Sequence, residues 1–205
     1  MDSLLFDGYE LLTALGPFLV LLVPLVSFYR KRNIRITRTA CVLIVVFAVY
    51  VIGVYHFTGA GTLYDGLRFR LDTGHNLIPF SHTMDPVGYL LNLLLFVPLG
   101  LLVSLIWERL DSFPRILGVG AVFSLFIELT QLLNIRATDI DDILMNTAGT
   151  VVGFLFFRVA SLAAGERFRH SNVPVPLFPA AVLIPYLGRF FLYNDMGLAR
   201  LLYGF

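Results

Sequence analysis

Apolar residues run in long stretches near residues 11–29, 39–57, 87–107, 116–135, 140–160 and 174–193. Each approaches the roughly 20 residues that a helix needs to cross about 30 Å of hydrocarbon. Charged or Pro/Gly-containing turns separate them. With no water in hydrocarbon, every crossing backbone must satisfy its own hydrogen bonds, so the pattern predicts an all-α, polytopic transmembrane helical bundle of about six spans. Runs this long do not fit the strands of a membrane barrel, about 9–11 residues each. The sixth run differs from the other five: Pro174, Pro176, Pro179 and Pro185 interrupt it, and Arg189 sits near its end.

The polar positions inside this pattern concentrate in one place. The hairpin of spans four and five carries Glu128 and Gln131 on its first arm, and Arg136, Asp139, Asp142, Asn146, Gly149 and Gly153 on its second. An acid at the centre of a spanning helix costs roughly 2.5–3.5 kcal/mol, so such groups persist where they do something. Asp139, Asp142, Asn146, Gly149 and Gly153 follow one another at intervals of three and four, which puts them on one helical face. The stripe is polar at its start and glycine-lined further in. Gly149 and Gly153 form a small-residue seam suited to close helix packing. A turn centred near Arg136 and Ala137 would set Glu128 level with Asn146, and Gln131 level with Asp142. Asp141 falls off the Asp142 face and is expected to be solvated. In span three, Asn92 lies about a turn and a half below the boundary, ahead of Phe96, Pro98 and Gly100. Asn76, Pro79 and Phe80, in the run Asn-Leu-Ile-Pro-Phe, form an apolar flap expected beside the hairpin.

Composition narrows the function classes. The chain is 58% hydrophobic and 14% charged, which places it among membrane proteins. A formal net charge of +1 offers no basic field for nucleic acid. Cys41 is the single cysteine and cannot form an internal disulfide. His56, His75 and His82 lack metal-ligand spacing and are expected to be polar loop residues. Arg30, Lys31, Arg32, Arg35, Arg38, Arg109, Arg115, Arg158, Arg167 and Arg169 fall on one side; Arg68, Arg70, Arg136, Arg189 and Arg200 fall on the other. That distribution, ten against five, predicts both termini outside, with the polar hairpin opening to the outer face. The first span lacks a positive flank before it and is expected to be retained. No repeat or low-complexity tract divides the chain, so residues 1–205 are expected to form one membrane domain with a multi-pass place in the cell membrane.

Asn76-Leu-Ile-Pro-Phe80, Asn92 with Phe96-Val-Pro-Leu-Gly100, and Glu128-Leu-Thr-Gln131 leading through Arg136 and Asp139 to Asp142 and Asn146-Thr-Ala-Gly149 together resemble the VanZ-like family of integral membrane proteins. The resemblance covers a core of about residues 72–160. It implies a small bacterial membrane protein, in a family whose named member is associated with low-level teicoplanin resistance. The acidic turn departs from the family's in carrying an extra acid, Asp141.

Three mechanisms fit these residues. In the first, Glu128, Asp142, Asn146 and Asn92, with Gln131, Arg136 and Asp139, hold a polar group at the outer leaflet. The partners are then membrane lipids, a lipid-linked cell-wall precursor or a lipoglycopeptide antibiotic, with no cofactor. Carboxylates and amides suit hydroxyls or an ammonium, and Arg136 suits a phosphate. In the second, an intramembrane enzyme acts on a lipid-linked pyrophosphate, with Glu128 and Asp142 as catalytic groups and Asp139 and Asp142 holding Mg²⁺. The hairpin offers no histidine beside Ser124 to activate a nucleophile. The third is transport, for which buried acids relay protons or coordinate cations.

Overall fold

The computed structural model describes residues 2–67, 75–76, 78–80, 85–133, 138–164, 171 and 173–193. Among the described residues seven helices form: α1 Asp2–Lys31, α2 Arg38–Thr58, the short α3 Leu63–Leu67, α4 Pro86–Ile106, α5 Phe113–Gln131, α6 Ile140–Ala164 and α7 Leu177–Leu192. A 3-10 turn, Glu108–Leu110, joins α4 to α5. Strands β1 (His75–Asn76) and β2 (Thr138–Asp139) pair in parallel, His75 opposite Thr138 and Asn76 opposite Asp139. The protein is thus an all-α bundle of polytopic type, with five helices among the described residues long and apolar enough to cross a membrane. At 16 residues, α7 reaches only about 24 Å at 1.5 Å per residue, short of a full crossing without help from its flanks.

The chain divides into two compact units: Met1–Phe69 with Pro176–Phe205, and Arg70–Val175. In the first, α7 packs on α1 and α2. Phe18, Phe47 and Tyr55 fill its interior, while Leu12, Val20 and Val42 face outward as lipid-facing side chains would. Helix α2 ends where Gly59 takes a left-handed conformation, φ 65°, and this releases the carbonyls of Ala60 and Gly61 from the helix. Tyr186 Oη donates to Gly61 O at 3.3 Å, and Arg189 Nη1 donates to Ala60 O. Arg189 also donates from Nε to Glu10 Oε1 at 2.5 Å, and the other oxygen of Glu10 meets His56 Nδ1 at 2.7 Å.

This cluster revises two expectations. Helix α1 starts well before residue 11, so Glu10 lies inside it and is buried at 4% exposure. His56 is in the last turn of α2, bound to that acid, not in a loop. The reason is tertiary: an arginine from α7 and a histidine from α2 supply the partners that make a buried carboxylate tenable.

In the second unit, α6 packs closely on α4 and also on α5. A Cβ on Gly149 would collide with the carbonyl of Leu93, and one on Gly153 with that of Val97. A Cβ on Gly100 would collide with the carbonyl of Thr150. The Leu93–Gly149 and Val97–Gly153 contacts advance in the same direction along both helices, so α4 and α6 run parallel, with backbones as near as missing side chains allow. Phe96, Leu99 and Val103 of α4 and Ile116, Phe123 and Ile127 of α5 complete the interior. At one end of this unit lie the start of α4, the end of α5 and the start of α6, and the polar residues gather there.

Candidate functional site

Pro86 opens α4 behind Asp85, whose side chain accepts from Gly88 N at 3.0 Å and caps the helix. Asp139 does the same for α6, accepting at Oδ1 from Asp141 N at 3.0 Å. Two helix N-termini therefore point to this end, and their partial positive charge favours the carboxylates in the first turn of α6.

The layer spans all three helices. Asn92 Nδ2 of α4 donates to Asp142 Oδ1 of α6 at 2.5 Å. On the other side of α6, Asn146 Nδ2 donates to Ser124 Oγ of α5 at 2.9 Å. Glu128, one turn along α5 from Ser124 and 2% exposed, accepts at Oε2 from Asp139 N at 3.1 Å. Gln131 is buried in the final turn of α5. Phe96 and Phe123, with ring centroids 5.8 Å apart, join α4 to α5 about a turn from Asn92 and beside Ser124. Beyond them the Gly149 and Gly153 seam begins.

Asn92, Glu128, Gln131, Asp139, Asp142 and Asn146 are thus gathered at one end of one unit. The expected levels across the hairpin are not those observed. Asn146 pairs with Ser124, a full turn earlier in α5 than Glu128, and Glu128 reaches the backbone of Asp139. The two arms are not symmetric about the turn, because α6 starts only after the extended pair Thr138–Asp139. Arg136 lies outside the described residues.

Asp141 is the larger correction. Expected to be solvated, it is 1% exposed. Its Oδ1 accepts from Phe80 N at 2.9 Å and its Oδ2 from Tyr89 Oη at 2.8 Å. The Tyr89 ring meets that of Phe80 edge to face at 6.1 Å. One residue's step around α6 turns Asp141 away from the Asp142 face, toward α4 and the 78–80 segment instead of toward solvent. The flap is therefore tied at two points, by Asn76 opposite Asp139 in the β pairing and by Phe80 on Asp141. Phe80 has φ 55°, a backbone region that a bulky residue takes up only under constraint. Ile78, Pro79 and Phe80 are exposed, with Ile78 at 69%. Tyr89 went unnoticed in the sequence because a tyrosine at a membrane boundary has an ordinary interfacial role; Asp141 paired with it was the available signal.

Some buried polar atoms of this unit find no hydrogen-bond partner, Ser104 Oγ, Thr147 Oγ1 and Asn146 Oδ1 among them. Asn146 is 3% exposed, and its Oδ1 has no hydrogen-bond partner. A buried acceptor without a donor costs about 1–3 kcal/mol, so it calls for an explanation. Among the described residues no three His, Cys, Asp or Glu side chains converge as metal ligands. Asp139 and Asp142 instead spend an oxygen each on Asp141 N and Asn92 Nδ2.

The VanZ/LLP1 family model matches residues 40–161, so it reaches back into α2 beyond the core at 72–160. Protein VanZ of Enterococcus faecium is 32% identical over 87 residues, which are 42% of this chain and 53% of that protein. The match thus spans about half the length of this curated relative. No solved structure matches the chain. The family match covers more than half of the sequence, including every element that builds the polar layer: this chain is a membrane protein of the VanZ/LLP1 family.

Proposed function

We propose that the polar layer is a non-catalytic binding site for the headgroup of a cell-envelope lipid or a lipidated antibiotic, at the outer leaflet of the cell membrane. The observation that carries this reading is the carboxylate and amide set, Glu128 and Asn146 buried and Asn92 and Asp142 partly exposed, drawn from three helices at one end of this unit. Packing alone does not require two acids there. The tied segment at Ile78–Phe80 presents apolar side chains at the same end, suited to lie among acyl chains while a headgroup sits in the layer. Family membership extends the reading to lipoglycopeptides of the teicoplanin type, which carry sugars and an acyl chain on one molecule.

Native mass spectrometry with lipidomics, on protein extracted from its host membrane, tests the proposal. The wild type is compared with a Glu128→Gln, Asp142→Asn double variant. A lipid that co-purifies with the wild type and is absent from the folded variant is the expected result. The same lipids on both proteins would reduce the layer to an interhelical strut. In a susceptible host, a rise in the teicoplanin concentration needed for inhibition, lost with the same variant, is the expected phenotype.

A further inference from the structure

Asn146 lies about 9 Å along α6 from its first residue and about 6 Å beyond Asp142, at 1.5 Å per residue. Its planar amide is committed on one side only: Nδ2 goes to Ser124 Oγ, so Oδ1 points away from that serine. With the residue 3% exposed, that oxygen is enclosed among helices and lacks a donor. The backbone carbonyl of Asn146 is engaged separately, accepting from Thr150 Oγ1 at 2.9 Å.

From this unfilled acceptor we infer that Asn146 determines the specificity of the site, and that the bound headgroup brings a neutral hydroxyl to its Oδ1. The inference rests on the headgroup reading above and names the chemistry of that ligand. A phosphate presents acceptor oxygens, which oppose another acceptor. An ammonium would have to go past Asp142 to a neutral amide, leaving a full charge buried without a counter-charge beside it. A hydroxyl donates to Oδ1 without carrying charge into the interior, and it can accept in return. Ser124 fixes the amide's orientation, and the rings of Phe96 and Phe123 pack together at 5.8 Å, Phe123 next to Ser124 in the chain. Hydroxyls of this kind come from a sugar or from a glycerol headgroup.

Full-length protein in detergent is offered equal amounts of three probes: a monoglucosyl diacylglycerol, a phosphatidylglycerol and a phosphatidylethanolamine. Native mass spectrometry reads the lipid retained, and thermal melting confirms that each variant is folded. Wild type is expected to retain one of the hydroxyl lipids over phosphatidylethanolamine by about tenfold, the worth of one buried hydrogen bond. Which hydroxyl lipid prevails identifies the sugar or the glycerol as the source. Asn146→Leu is expected to lose the preference; Asn146→Ala carries the same expectation should the leucine variant not fold. A preference that survives loss of the amide overturns the inference. So does retention of phosphatidylethanolamine, and if that retention is lost in Glu128→Gln, Asp142→Asn, the headgroup site itself stands with a different ligand. Retention of none of the probes by wild type overturns the inference, and the lipidomics comparison then decides the headgroup site alone.

Discussion

The two units solve the problem of polar groups in an apolar bundle in opposite ways. In the unit of α1, α2 and α7, Glu10 uses one oxygen for Arg189 and the other for His56, and Arg189 adds the carbonyl of Ala60. Tyr9, Tyr55 and Tyr186 each give their hydroxyl to a backbone carbonyl. That cluster joins helix ends and has its charges matched. In the unit of α4, α5 and α6, the layer of acids and amides leaves a deep acceptor, Asn146 Oδ1, without a donor. Burial of charge therefore does not itself mark a ligand site. A matched cluster holds helices together, and an unmatched atom asks for something from outside.

That contrast is broken or sharpened most strongly at Arg189. Arg189→Leu leaves Glu10 buried with only the half-exposed His56, and a loss of about 3–5 kcal/mol is expected, read as an early or lost cooperative melt in detergent. Adding Glu10→Leu should recover most of that stability. An unchanged melt in the single variant would mean that the cluster does not clamp the helices.

The glycine seam comes next. Gly153→Ala must push α6 off the Val97 carbonyl, and a loss of about 1–3 kcal/mol is expected by thermal unfolding. Because the same seam holds α6 against α4, this change should also weaken lipid retention.

A smaller effect, about 0.5–1.5 kcal/mol, is expected for Tyr89→Phe, which removes one of the two bonds into Asp141. Hydrogen exchange at the Phe80 amide should stay slow in Tyr89→Phe and quicken in Asp141→Ala, because the Phe80 bond survives only the first change. Equal exchange in both would show that Asp141 does not tie the segment.

The smallest stability change belongs to the site itself. Asn146→Leu gives up the bond to Ser124 and also removes an unfilled oxygen, so its melt is expected within about 1 kcal/mol of wild type. Should Asn146→Leu unfold the protein while Arg189→Leu leaves it intact, the roles of the two units would be reversed.

Much of this was legible in the residues. Asp142, Asn146, Gly149 and Gly153 share a helical face by spacing alone, and Asn92 was placed beside them by its depth in its own span. The levels across the α5 and α6 hairpin were not legible, because two extended residues before α6 offset its arms by about a turn. Asp141 looked solvated because its partners, Phe80 and Tyr89, come from other segments, and nothing local announces them. The Glu10, His56 and Arg189 cluster is harder still, since each residue taken alone is an ordinary polar group at the end of an apolar run.

The sequence by itself determined that the chain forms membrane helices, where they lie, and which polar residues share a face. Those are local consequences: hydrocarbon demands internally satisfied backbone over a fixed length, and helical periodicity does the rest. Only the tertiary structure decided which buried polar groups are matched and which are not, because hydrogen-bond satisfaction depends on partners brought together from distant segments.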